Sequence, residues 1–146
     1  ISALDALAKV GVTEDIGLVV TWINAWRGEV YGALYKDGKE VLPPTVGSPE
    51  IFLESLRGKL GNGFSNISFV GDGVPGYESL IRNRLGEDAH IADPVSPPLA
   101  GVVGKLAFGM FTEGLVSPPE SIRPLYVRRP DAEVSQEQRK KPRKKL

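Results

Sequence analysis

Apolar and polar positions follow a strand-like rhythm in the first third of the chain and a helical one, broken by short apolar runs, in the rest. Leu18 to Ile23 is an almost continuous apolar run, β-branched and aromatic and too short for an ordinary helix. It predicts a central strand buried on both faces. After a turn at Ala25 to Gly28, the segment Glu29 to Lys36 sets Val30, Gly32 and Leu34 on one side and Tyr31, Ala33 and Tyr35 on the other, the period of a second strand. Asp37-Gly38 is a two-residue hairpin signal, and Lys39 to Leu42 supplies a short third strand that Pro43-Pro44 is expected to end. A short helix precedes this meander: Ser2 caps it, Asp5 stands where a capping-box acid would, Leu4, Leu7 and Ala8 share a face, and Gly11 ends it.

The pattern changes at Ser48-Pro49-Glu50, an N-cap, a first-turn proline and a dipole-favoured acid in order. Phe52, Leu53, Leu56 and Leu60 form the stripe of the helix that follows, and Gly61 stops it. Ile67 to Val70 is a fourth strand running into Gly71-Asp72-Gly73. A helix from about Pro75, facing inward with Tyr77, Leu80, Ile81 and Leu85, ends at Gly86. His90-Ile91-Ala92 forms a short fifth strand before Asp93-Pro94. Leu99 to Glu113 is the longest helix, and its Gly101, Gly104 and Gly109, each costing up to about 1 kcal/mol in propensity, imply close packing on a sheet. Ile122 to Arg128 reads as a closing strand. The sum is an α/β fold with a mixed sheet of five to six strands, an antiparallel meander joined to strand-helix crossovers that favour parallel pairing.

Composition narrows this picture. A chain of 146 residues suits one domain. No run approaches the roughly 20 apolar residues a membrane-spanning helix needs. No cysteine is present, which excludes disulfides, thiolate metal sites and a cysteine nucleophile; a cytoplasmic location is the corresponding expectation. The chain opens on Ile1 and reads as a piece of something longer. Net charge is zero, with 18 basic and 18 acidic residues, but the basic ones cluster: Arg139, Lys140, Lys141, Arg143, Lys144 and Lys145 occupy the tail, residues 134–146. That tail contains one acid, Glu137, so residues 1–133 carry 12 basic and 17 acidic side chains, net −5, and would repel a phosphate backbone. The tail reads as a disordered terminus, with sequence-blind RNA contact as its functional alternative.

The element order is similar to the ribonuclease H-like core, and more particularly to one lobe of the actin-like ATPase architecture. Three segments sharpen the likeness. The hairpin Ala25-Trp26-Arg27-Gly28-Glu29-Val30-Tyr31, the turn Phe69-Val70-Gly71-Asp72-Gly73 and the closing Arg123-Pro124-Leu125-Tyr126-Val127-Arg128 together resemble the C-terminal half of the bacterial TsaB (YeaZ) family. The leading Ser2-Ala3-Leu4-Asp5-Ala6-Leu7-Ala8 resembles the segment just before that half, so the likeness covers nearly all of residues 1–133, with 1–11 as a leading or interlobe helix. Its signature residues are Arg27, Gly28, Glu29, Tyr31, Pro124, Tyr126 and Arg128. The chain has Asn24 where the family hairpin commonly has an acid and Trp26 where it has an arginine, so no role is carried over to either.

The resemblance implies a noncatalytic protein without a cofactor, supporting the catalytic subunit TsaD in threonylcarbamoyladenosine modification of tRNA. A TsaE-type ATPase belongs to that assembly, and tRNA is met indirectly. In the family the pairing with TsaD uses chiefly helices of the N-terminal half. A homodimer is the other assembly left open.

The residues themselves offer three competing chemistries. A divalent-metal nuclease of the same architecture would draw on Glu29, Asp72 and Asp93, but the first buried strand lacks the usual aspartate and solvated loop carboxylates are the preferred reading. An ATP-binding, kinase-type lobe would use Gly71, Asp72 and Gly73 before a helix N-terminus, a weak pattern for which a close-packed strand-to-helix turn is the preferred reading. A peptidase would need metal ligands or a positioned base, and His90 is the only histidine. Arg27-Gly28-Glu29 reads as a solvated hairpin tip, and Trp26 as a ring buried in an intact two-lobed protein.

Overall fold

A computed structural model describes residues 1–13, 15–61, 65–124 and 126–127. Among the described residues the α-helices and β-strands follow in the order α1 (Ala3–Gly11), β1 (Leu18–Trp26), β2 (Glu29–Lys36), β3 (Lys39–Gly47), α2 (Pro49–Leu60), β4 (Ile67–Val70), α3 (Glu78–Leu85), β5 (Ala89–Ile91) and α4 (Ala100–Thr112). The strands form one sheet in the order β3-β2-β1-β4-β5. β1 pairs antiparallel with β2 and parallel with β4, and β4 pairs parallel with β5, so the expected mixed sheet is present with five strands. β1 is central, and Val19 to Trp22 are buried whichever face they point to, as a run with no polar alternation requires.

One face of the sheet is covered by α2 and α3. Trp22 is the centre of this larger core, fully buried and edge-on to three rings, Phe69 at 5.4 Å, Phe52 at 5.8 Å and Tyr77 at 6.3 Å between centroids. Gly32 on the neighbouring strand makes room for them: a Cβ there would lie 2.5 Å from Phe52 Cε2 and 2.9 Å from Trp22 Cδ1. Truncating Trp22 to alanine is therefore worth about 3–5 kcal/mol. The other face carries α1, whose Leu4 and Ala8 pack on Ala33 and Tyr35 while Leu7 packs on Val19 and Val70.

Local signals fix the ends of the helices. Ser2 Oγ accepts from Asp5 N–H at 3.1 Å and Asp5 Oδ2 accepts from Ser2 N–H at 2.9 Å, a complete capping box. Ser48 caps α2 and Pro49 occupies its first turn. Arg57 Nη2 donates to the Arg84 carbonyl at 2.6 Å, tying α2 to the C-terminal end of α3.

Three expectations are corrected. β3 does not stop at Leu42 but runs through Pro43-Pro44 to Gly47, pairing Tyr31 with Val46 and Val30 with Gly47. It is an edge strand, and with register shifts beside Leu34 a residue without an N–H can sit where no ladder bond is demanded. The closing strand is not formed over its described part: Ile122, Arg123, Pro124, Tyr126 and Val127 have no strand pairing. Ile122 and Tyr126 are 68% and 84% exposed, so these strand-forming apolar residues are not packed as a strand face would be. Helix α4 is present nearly as expected, but it meets α1 rather than the sheet, contains no fully buried residue, and a Cβ on Gly101, Gly104 or Gly109 would touch nothing within 4 Å. The residues 134–146 expected to form a basic tail lie outside the described residues, as does Arg128.

Candidate functional site

Two of the sequence signatures, far apart along the chain, meet in space. Tyr31 on β2 and Pro124 and Tyr126 from the C-terminal segment line one groove of about 580 Å³, together with Ile1 to Leu4 at the start of α1 and Ile23 on β1. Strand alternation points Tyr31 to the α1 side, the side of Ala33 and Tyr35. The lining is largely apolar. Arg123 also borders the groove, with Nη1 donating to the carbonyls of Glu120 at 2.6 Å and Ile122 at 3.1 Å.

Between α1 and β2 lies a small polar cluster that the sequence did not single out as a group. Tyr35 donates its hydroxyl to Asp5 Oδ1 at 2.9 Å, while the other carboxylate oxygen closes the capping box. Burial pushes the Asp5 carboxyl up, but hydrogen bonds from the Ser2 backbone and the Tyr35 and Ser2 hydroxyls outweigh it and hold Asp5 below its usual value. Burial first, then the hydrogen bond and charge of Asp5, push the Tyr35 phenol well up. Both side chains serve the fold. The signal for them was the capping-box acid and the buried phase of β2, which meet only once α1 is laid across the sheet.

The hairpin tip is built by backbone geometry. Arg27 and Gly28 both have positive φ, 57° and 78°, the turn that matches strand twist. A bulge at Ala25 precedes them and puts Trp26 at φ 62°, leaving its ring 75% exposed. Asn24 Oδ1 accepts from Trp26 N–H at 2.9 Å and steadies this bend. Asn24's own N–H donates to Asp72 Oδ1 at 2.9 Å. Asp72 therefore lashes the end of β1 to the turn after β4, a task invisible at a separation of 48 residues.

The turn Gly71-Asp72-Gly73 is closed on itself. Gly71 N–H donates to the Val95 carbonyl at 2.6 Å, Gly73 N–H to the Trp22 carbonyl at 3.0 Å and Val74 N–H to the Gly71 carbonyl at 3.1 Å. Gly71 has φ 122°, and a Cβ there would overlap the Trp22 carbonyl oxygen. These bonds and close contacts support the structural reading of the glycine pair, because amide groups that an anion would use are already committed. His90 is exposed, with Nε2 3.4 Å from Asn66 Oδ1. Among the described residues no three of His, Cys, Asp and Glu come together in a way that could hold a metal ion. Glu29 lies at the start of β2 and Asp93 in the loop after β5, each exposed or half-exposed. No described helix is long and apolar enough to cross a membrane. The basic residues Arg139, Lys140, Lys141, Arg143, Lys144 and Lys145 lie outside the described residues.

Comparison with protein-family profiles and with curated proteins finds no match. Solved structures do match. One is an uncharacterized protein with similarity to peptidase YeaZ from Pseudomonas aeruginosa, with a TM-score of 0.60 and 23% identity over 88% of this chain. YeaZ from Pseudomonas aeruginosa matches with a TM-score of 0.59 and 23% identity over 86% of the chain. The chain spans 57% and 58% of the length of these two neighbours. At that identity the likeness establishes architecture: the mixed five-stranded sheet with helices on its faces is a lobe of the actin-like ATPase fold, as in YeaZ.

Proposed function

We propose that the chain is a noncatalytic supporting lobe in threonylcarbamoyladenosine modification of tRNA, acting with a TsaD-like catalytic subunit and, through it, with a TsaE-like ATPase. The observation that carries this reading is the convergence of Tyr31 with Pro124 and Tyr126 in one groove, on a fold shared with YeaZ. A family signature that is scattered in sequence and gathered in space argues for more than a common architecture.

The proposed noncatalytic role is supported by the commitments of the polar groups. Asp72 is an acceptor for backbone, Ser2 caps a helix, and Asp5 and Tyr35 hold each other. The test is copurification of the chain with a TsaD-type subunit, together with the level of threonylcarbamoyladenosine in cells lacking the protein. Complex formation and a lowered level of the modification are expected. No complex and an unchanged level would overturn the reading.

A further inference from the structure

The chain contains two Asp-Gly bonds, Asp37-Gly38 and Asp72-Gly73, and the fold treats them oppositely. An aspartate before glycine is open to isomerisation because glycine has no side chain to shield its backbone nitrogen from the neighbouring carboxyl. At Asp72-Gly73 that chemistry is blocked. The Asp72 carboxylate accepts from Asn24 N–H at 2.9 Å, the buried Gly73 donates its N–H to the Trp22 carbonyl at 3.0 Å, and a Cβ on Gly73 would lie 3.1 Å from the backbone of Ile23 and Asn24. Neither reacting group can turn toward the other without breaking a bond that ties the end of β1 to the turn after β4.

Asp37-Gly38 is the tip of the β2–β3 hairpin, where Lys36 pairs with Lys39 and the two turn residues have φ 50° and 75°. Residues 36 to 40 are all exposed. Asp37 N–H is held by the Gly17 carbonyl at 2.8 Å, but the groups that would react are not held: among the described residues Gly38 N–H has no acceptor, the Asp37 carboxylate has no donor, and a Cβ on Gly38 would meet nothing within 4 Å. We propose that Asp37 is a site of isoaspartate formation, and so a substrate for a carboxyl methyltransferase that recognises that linkage. The Gly38 nitrogen attacks Asp37 Cγ, and its proton leaves with the carboxyl hydroxyl as water. The cyclic imide takes water back at the Asp37 backbone carbonyl carbon, which breaks the original bond to Gly38. The chain then runs through Cγ and the α-carboxylate is free, with composition and oxidation state unchanged. One more main-chain atom now lies in a two-residue turn whose dihedrals match strand twist, so the start of β3 loses its register with β2.

The test ages the whole chain in neutral buffer and maps it by electron-transfer fragmentation, which cleaves the two linkages differently. Isoaspartate should accumulate at position 37 and not at 72, and in urea it should appear at both, because the fold rather than the dipeptide protects Asp72. Asn62-Gly63 is a further source of isoaspartate, but loss of ammonia from an asparagine changes the mass and isomerisation of an aspartate does not. Methyl transfer from S-adenosylmethionine by an isoaspartate-specific methyltransferase should label the aged chain at position 37. Asp37→Glu, whose longer side chain would have to close a larger ring, should lose that label, and Asp37→Asn, which keeps the turn, should gain it faster. An aged chain without isoaspartate at 37, equal accumulation at 37 and 72 in the folded chain, or protection of Asp72 that persists in urea would each overturn the proposal.

Discussion

Asp5 closes the capping box of α1 with one carboxylate oxygen and receives the Tyr35 hydroxyl with the other, so one side chain holds a helix end and a strand together. Replacing it with alanine should cost about 1–2 kcal/mol, and the Asp5→Ala, Tyr35→Phe cycle should show a coupling of about 1 kcal/mol in urea unfolding. The pair also sets the direction of pH dependence. The Asp5 contribution is present above its unfolded value near 3.8 and is lost as pH falls through the lower folded value. Tyr35 acts at the other limb: the folded state keeps its proton where the unfolded chain releases it, so its contribution is full below 10.0 and lost as pH rises from there. Midpoints measured across pH should therefore fall at both ends, and Tyr35→Phe should flatten the alkaline fall alone.

Glycines within elements and at their joints should respond oppositely to the same substitution. Gly58 lies inside α2 with open space around it, so Gly58→Ala should stabilise by about 0.5–1 kcal/mol through helix propensity. Gly71 joins β4 to the next turn at φ 122° against the Trp22 carbonyl, so Gly71→Ala should cost more than about 2 kcal/mol in thermal or urea unfolding. The same contrast explains what was legible in the sequence. β1, β2, α1 and α2 are written in periodicity and caps, which are local. The length of β3 was not, because whether Pro43-Pro44 ends a strand depends on whether that strand lies at an edge. Helix α4 was legible as a helix, but its stripe of apolar and small residues says only that something packs there. Family resemblance singles out Tyr31, Pro124 and Tyr126 but not the groove that joins them, and the Asp72 bond to Asn24 has no local signal at all.

At the scale of the whole molecule, stability should grade outward from β1. That strand has hydrogen-bonded neighbours on both sides and rings packed beneath it, so its amides between Val19 and Trp22 open only when the entire fold does. Among the described residues β3 is an edge strand and α4 contains no fully buried residue, so each should open at a lower free energy. Hydrogen exchange resolved by residue should then give the slowest rates for Val20 and Trp22 and markedly faster ones for α4 in dilute solution. Exchange in α4 that is as slow as in β1 at high dilution would mean that α1 alone holds the helix, and the exposed Phe108 and Phe111 would then be no measure of its independence.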